Sequence, residues 1–226
     1  MDLEFFIYDS PNFRRFLRDN PHEHGEVKFL ESILEEEMQV IDVGGHIGVT
    51  SVVIAKKIGD KGRLYSFEPI PEFYSILKRN LSSNRLKNVK VYQLGVGDYT
   101  GRADFYENAA SSSIVPREGD KKLRVDLTTI DTFLNEEDIE RIDFINMDCE
   151  GSEFFVLKGA EAILRNDKVK IFCEIHHPFL KELDISVQNI VKYLQKLRFQ
   201  VYSISLDNLS MGYDFDNCDY IYAYKR

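Results

Sequence analysis

The chain has 226 residues, 43% of them hydrophobic and 30% charged, with a formal net charge of −9. A chain of this size buries a core without covalent staples, and its acidic balance argues against a phosphate backbone as partner, which calls for clustered Lys and Arg. Three cysteines form no disulfide framework, no cationic leader with an apolar run opens the chain, and no apolar run approaches the ~18 residues of a membrane span. The expectation is a cytoplasmic protein with no membrane span and no nucleic-acid partner.

In chain order, residues 1–25 carry weak signals: Phe5-Phe6-Ile7 suits a short strand and Asn12 to Arg18 a short helix. They are expected to form an extension packed on a single domain of residues 26–226. Glu26 to Glu37 has Val27, Leu30, Ile33 and Leu34 on one helical face. Gln39 to Val43 is a continuous apolar strand of the kind buried on both faces. Val49 to Ile58 reads as a helix stopped by Gly59, Gly62 to Phe67 as a strand, and Pro71 to Ser82 as a helix opened by proline. Val89 to Leu94 is the next strand. Arg102 to Glu107 and Leu123 to Thr128 are shorter strand-like runs on either side of a small polar loop, Asn108 to Ser113. Lys121-Lys122-Leu123-Arg124, the one short basic patch, fits a solvated loop or strand entry.

After a short helix near Asp131 to Asn135, Ile142 to Met147 is a strand and Ser152 to Leu164 a helix. Val169 to Ile175 is a strand, Val187 to Leu197 an amphipathic helix, and Phe199 to Ile204 and Tyr220 to Tyr224 are closing antiparallel neighbours. The alternation predicts a Rossmann-like α/β fold. Its sheet is doubly wound, mostly parallel and seven-stranded, with an antiparallel last strand and an extra β-hairpin before strand 4. Ligands of such sheets sit at the carboxyl ends of the strands. Asp42–Gly48, Glu68, Gly95–Asp98, Asp148–Gly151 and Glu174–His177 should therefore share one edge.

Gly44, Gly45 and Gly48 between a strand and a helix suit a tight turn with close ligand approach. Glu68, at the end of the second strand, can accept hydrogen bonds from ribose hydroxyls. A dinucleotide turn fails, because G-x-G-x-x-G read from Gly44 meets His46 and Val49, and read from Gly45 meets Ile47 and Thr50. This disfavours a nicotinamide-dependent oxidoreductase. The spacing D-x-G-x-x-x-G, Asp42 to Gly48, suits S-adenosylmethionine, with Asp42 toward the methionine ammonium. His46 is either a turn residue or a ligand contact. Leu94 to Asp98 is small and polar enough to border an adenine.

Four stretches together resemble the FkbM-type methyltransferases, within the class I S-adenosylmethionine-dependent superfamily. They are Val40-Ile41-Asp42-Val43-Gly44-Gly45-His46-Ile47-Gly48, Phe67-Glu68-Pro69, Gly95-Val96-Gly97-Asp98, and Ile142-Asp143-Phe144-Ile145-Asn146-Met147-Asp148-Cys149-Glu150-Gly151-Ser152-Glu153. The last departs from the family's pattern at Asn146, where lysine is common. The resemblance implies O-methylation, often of a sugar hydroxyl on a glycan or a natural product. Asp42, Gly44, Gly45, His46, Gly48, Glu68, Pro69, Gly95, Val96, Gly97 and Asp98 are then the candidate cofactor set.

An alcohol acceptor needs its proton taken or its oxygen held by a metal. Asp148, Glu174, His176 and His177 are the catalytic candidates, with Glu150 and Glu153 nearby. Asp148, Glu174 and His176 could also hold Mg²⁺ or Mn²⁺. Plainer roles compete: Glu153 can favour a helix N-terminus, His177 can shape a turn before Pro178, and Cys149 and Cys173 can fill the core. A non-catalytic cofactor- or glycan-binding module on the same fold is the remaining alternative.

Overall fold

The computed structural model describes residues 11–107, 112–165 and 168–225, so the strand expected at Phe5-Phe6-Ile7 lies outside them. Two helices come first, α1 (Pro11–Asp19) and α2 (Pro21–Ile33). The helix expected over 26–37 thus starts and ends earlier. Pro21 supplies a first-turn residue with a preset φ, and Leu34 turns extended at φ −80°, ψ 143°. The boundary expected between residues 25 and 26 falls inside α2.

The central alternation follows: β1 (Gln39–Val43), α3 (Val49–Ile58), β2 (Arg63–Phe67), α4 (Pro71–Ser83) and β3 (Val89–Tyr92). Next come the short β4 (Gly95–Val96), β5 (Gly101–Glu107), β6 (Ser112–Ser113) and β7 (Lys121–Thr128). After α5 (Ile130–Glu136) the chain runs through β8 (Phe144–Met147), α6 (Glu153–Lys158), α7 (Glu161–Leu164), β9 (Lys170–Glu174), α8 (His177–Glu182) and α9 (Val187–Lys196). It closes with β10 (Gln200–Ser205), β11 (Ser210–Gly212) and β12 (Tyr220–Tyr224).

The main sheet has eight strands in the order β11-β10-β12-β9-β8-β1-β2-β3. Pairing is parallel from β9 through β3, and β12 runs antiparallel to both of its neighbours. The expected count of seven is corrected by β11, which pairs Ser203 with Gly212 at the edge. Its turn carries a side-chain bond from the Ser210 N–H to Asn208, a signal confined to a few residues. A second sheet, β4-β7-β5-β6, stands apart from the first. In it the basic run Lys121–Arg124 is part of β7, with Lys122 paired to Asp104 at 2.8 Å.

The helix expected over 152–164 is divided at Gly159. A Cβ there would stand 2.0 Å from the Gly97 carbonyl oxygen. Asp131 then starts α7 afresh by accepting from the Ala162 and Ile163 N–H groups at 2.7 and 3.0 Å. Apolar side chains cover both faces of the main sheet. Ile41, Val43, Ile145, Ile171 and Ile221 meet α5, α6 and α9. Val40, Leu64, Phe144 and Phe172 meet α1, α2 and α3. No described helix is long and apolar enough to cross a membrane.

Candidate active site

Parallel pairing places the carboxyl ends of β1, β2, β8 and β9 along one edge, and a cleft opens there. It is lined by Gly44 and His46 after β1, Phe67, Glu68 and Pro69 at the end of β2, Leu94, Gly95 and Val96 after β3, and Asp148, Cys149, Glu150 and Ser152 after β8. The small sheet adds Phe105 and Ser112. Ser113 ties that sheet to the edge by donating to the Glu150 carbonyl at 2.6 Å.

The glycine turn is shaped by packing within the chain. The Gly44 and Gly45 N–H groups donate to the Phe67 carbonyl at 3.0 and 2.9 Å. Gly44 has φ +90°, and a Cβ on it would lie 1.7 Å from the Asp148 carbonyl oxygen. At Gly45 a Cβ would meet Ser66, and at Gly48 it would meet Leu77. Thus Gly44 lines the cleft, while Gly45 and Gly48 seat the turn against β2 and α4.

Asp42 stands back from the cleft. It is 0% exposed and lies outside the cleft lining. Its carboxylate accepts from Ser51, from Ser66 at 3.1 Å and from Asn146 at 2.9 Å. Burial raises its pKa, and these three bonds oppose the rise. Asp42 therefore ties β1 to α3, β2 and β8. Asn146, at the place where the family commonly has lysine, is its partner.

Glu68 does face the cleft. Its carboxylate accepts from the Ile70 and His46 N–H groups at 2.7 and 2.9 Å, and burial lifts its pKa to about 7. His46 packs edge-on against Phe73 at 4.2 Å. Burial lowers the pKa of its ring to about 4, and its Nε2 has no hydrogen-bond partner among the described residues. Gly97 and Asp98 are not among the lining residues: Gly97 underlies Gly159, and Asp98 is exposed.

Beside the cleft, Asp148, Glu174 and His176 converge, their ligand atoms all within 4.8 Å of one another. His176 Nε2 lies 3.4 Å from Asp148, 3.7 Å from Glu174 and 3.9 Å from Glu150. Its Nδ1 is 2.7 Å from Glu153, which also accepts from the His176 and Gly151 N–H groups. Glu153 has no solvent contact, and its other oxygen lacks a partner among the described residues. Burial alone would lower the His176 pKa. The bond to Glu153 and the charges of Asp148 and Glu174 outweigh it and hold the imidazole at about 10. Asp148 is pushed well above the usual carboxylate range by burial and by the Glu174 charge.

His177 is not part of this group. It opens α8, and its Nε2 bonds the Cys218 carbonyl at 2.8 Å, so the turn-shaping role prevails. Two residues that the sequence did not offer join instead. Tyr220 donates to Glu174 at 3.0 Å, and His22 Nε2 lies 3.4 Å from Glu174. Neither carried a motif: His22 stands in the weakly patterned first 25 residues, and Tyr220 read as a strand residue. Phe105 was likewise hidden in a hairpin whose destination only tertiary structure fixes, whereas Ser112 belongs to the small polar loop that the sequence offered as a hairpin tip or a flap over the ligand.

Residues 42–201 match the family model described as Methyltransferase FkbM domain. Methyltransferase sdnD of Sordaria araneosa is 29% identical over 156 residues, which cover 54% of this chain and 60% of that protein. The chain spans about half the length of the curated relatives it matches. A solved FkbM methyltransferase from Methylobacillus flagellatus KT is similar with a TM-score of 0.54 and 22% identity, over 85% of this chain and 45% of that one. An O-methyltransferase from Bacillus cereus, solved in complex with SAH, is similar at 0.53 and 13%, over 98% and 93%. At such identities these structures share the fold.

Proposed function

The chain belongs to the FkbM methyltransferase family, and on that premise we propose that it is an S-adenosylmethionine-dependent O-methyltransferase acting on a hydroxyl of a sugar, a glycan or a natural product. The observation that carries the reading is the double position of Asp148, which lines the cleft and stands 3.4 Å from His176. A donor in the cleft would thereby face the group that handles the acceptor's proton, and alignment of this kind supplies much of the rate in a displacement.

When bound, S-adenosylmethionine supplies a methyl activated by its sulfonium, so the chain's task is to position. Glu68 has lone pairs left after its two backbone bonds and offers them to ribose hydroxyls. Phe67, Leu94 and Phe105 give apolar surface for the adenine, bordered by Gly95 and Val96. Gly44, His46 and Pro69 complete the cofactor set in this reading, with the unpartnered His46 Nε2 turned to a ligand hydrogen bond.

Asp148, Glu174 and His176 are assigned to the acceptor. Glu153 fixes the His176 ring through Nδ1, which aims Nε2 at the two carboxylates. One arrangement uses His176 as the base for the hydroxyl proton, which requires the positive charge of the bound sulfonium to bring the imidazole down from about 10 first. The tight convergence of the three groups favours a second arrangement. Two carboxylates and an imidazole suit Mg²⁺ or Mn²⁺, which would supply Lewis acidity.

Mass spectrometry of a panel of glycans, natural products and RNA incubated with S-adenosylmethionine tests the function, read as the gain of one methyl group. Methylation of RNA alone would overturn the acceptor class. Full turnover after chelation would remove the metal, and loss restored by Mn²⁺ would remove the metal-free base. The same reading takes residues 26–226 as the methyltransferase unit, with α1 and the first turn of α2 packed on it as an extension that adds His22 to the cluster. It places the chain in a reducing, cytoplasmic compartment, in keeping with free thiols at Cys149, Cys173 and Cys218.

A further inference from the structure

Helix α2 brings two titratable side chains, His22 and Glu26, toward the acid–imidazole cluster. His22, at its start, reaches Glu174 and packs its ring 5.2 Å from that of Tyr220. Glu26, four residues on, lies one turn further along the same face. Phe29 continues the helix onto Phe172 and Tyr222 at 4.7 and 5.6 Å. Glu26 is thereby held inside the molecule, only 4% exposed.

What sets Glu26 apart is the lack of any donor. Among the described residues no N–H or O–H bonds its carboxylate, whereas Glu68, Glu153, Glu174 and Asp42 all have donors. Nor does a Lys or Arg among the described residues pair with Glu23, Glu26, Asp148 or Glu174; histidines alone do so. Burial and the charges of Asp148, Glu23 and Glu174 push its pKa well above the usual carboxylate range. A buried carboxylate without a donor costs stability. Groups of this kind cluster at functional sites, where a ligand supplies the missing donor.

We propose that Glu26 is the receiving carboxylate for a primary ammonium group bound between α2 and the Asp148–Glu174–His176 cluster. This rests on the methyltransferase reading of that cluster. An ammonium brings three donors and a positive charge to Glu26, which has no donor of its own among the described residues, while His22, His176 and Tyr220 serve Glu174 and Asp148. A metal ion fits this place less well, because Glu26 is not among the groups whose ligand atoms converge. The ammonium has two sources: the amino-acid end of the cofactor, or an amine on the acceptor, as in an amino sugar. Asp42, the acid expected to meet the former, is 0% exposed and accepts from Ser51, Ser66 and Asn146, which leaves that partner open.

Calorimetric titration of the wild type, Glu26→Gln and Glu26→Asp separates these cases. The probes are S-adenosylhomocysteine; 5′-methylthioadenosine, which lacks the amino-acid end; and glucosamine against N-acetylglucosamine with S-adenosylhomocysteine present. If the cofactor brings the ammonium, Glu26→Gln weakens S-adenosylhomocysteine by about tenfold or more and leaves 5′-methylthioadenosine unchanged. If the acceptor brings it, nucleoside binding stays as it was and the preference for glucosamine disappears. Glu26→Asp keeps the charge and falls between. The thermal midpoint of ligand-free Glu26→Gln should equal or exceed that of the wild type, which shows that any lost binding is not lost folding. Affinities within about twofold for every probe in Glu26→Gln would overturn the proposal and leave the methyltransferase reading intact. Failure of the wild type to bind S-adenosylhomocysteine would overturn both.

Discussion

Glu68 and Glu153 show how burial and partners divide the work among similar side chains. The Glu68 pKa is raised from 4.5 to about 7, chiefly by burial. A carboxyl raised in this way contributes stability that is fully present below about 4.5 and is lost as pH rises through about 7. Urea unfolding should therefore show the wild type losing about 3 kcal/mol more than Glu68→Gln between pH 4.5 and pH 8. Parallel pH profiles would refute this account of Glu68. Glu153 acts through His176, whose ring it orients from 2.7 Å. Glu153→Gln should lower kcat by about 10–100-fold while leaving the affinity for S-adenosylhomocysteine unchanged. A change in affinity with kcat intact would place Glu153 with the cofactor instead. The sequence made Glu153 a candidate, but its competing role at a helix N-terminus could be separated only by the ring beside it.

At the scale of elements, the turn between β1 and α3 was the most legible part of the chain, yet its glycines serve packing as much as ligand approach. Gly44 combines φ +90° with the Asp148 carbonyl where a Cβ would stand. Gly59, after α3, has φ +70° and nothing within 4 Å of such a Cβ. Gly59→Ala should cost only the strain of its backbone, about 1–3 kcal/mol. Gly44→Ala should cost more than about 3 kcal/mol or abolish folding. Chemical denaturation of both variants checks the contrast, and equal losses would mean that the edge of the sheet yields to the added methyl group. The division of the helix at Gly159 follows the same logic. The apolar stripe Leu157, Ala160 and Leu164 runs on past it, so local periodicity shows no break. The Gly97 carbonyl that leaves no room for a side chain at the break comes from a distant loop.

For the whole molecule, a ligand at 100 times its dissociation constant adds about 2.7 kcal/mol to stability, about 5–10 °C in thermal midpoint for a chain of this size. S-adenosylmethionine and S-adenosylhomocysteine should each give such a shift and NAD none; a shift with NAD alone would overturn the cofactor assignment. The sequence by itself determined the alternation of β1 to β9 with their helices, the glycine turn with Glu68 one unit later, and the run from Asp148 to Glu153. These signals are local: apolar periods of two and 3.6, prolines and glycines at element ends, and acids just past strands. Tertiary structure alone decided which acids face the cleft. Asp42 and Glu68 both follow from the strand pattern, yet Asp42 is closed off by Ser51, Ser66 and Asn146, and Glu68 lines the opening. It alone brought His22 of α2 to Glu174, buried Glu26 one turn further on, and drew His177 away to Cys218. The physical reason is that a side chain's direction and partners depend on residues tens to hundreds of positions away, and short-range pattern carries no record of them.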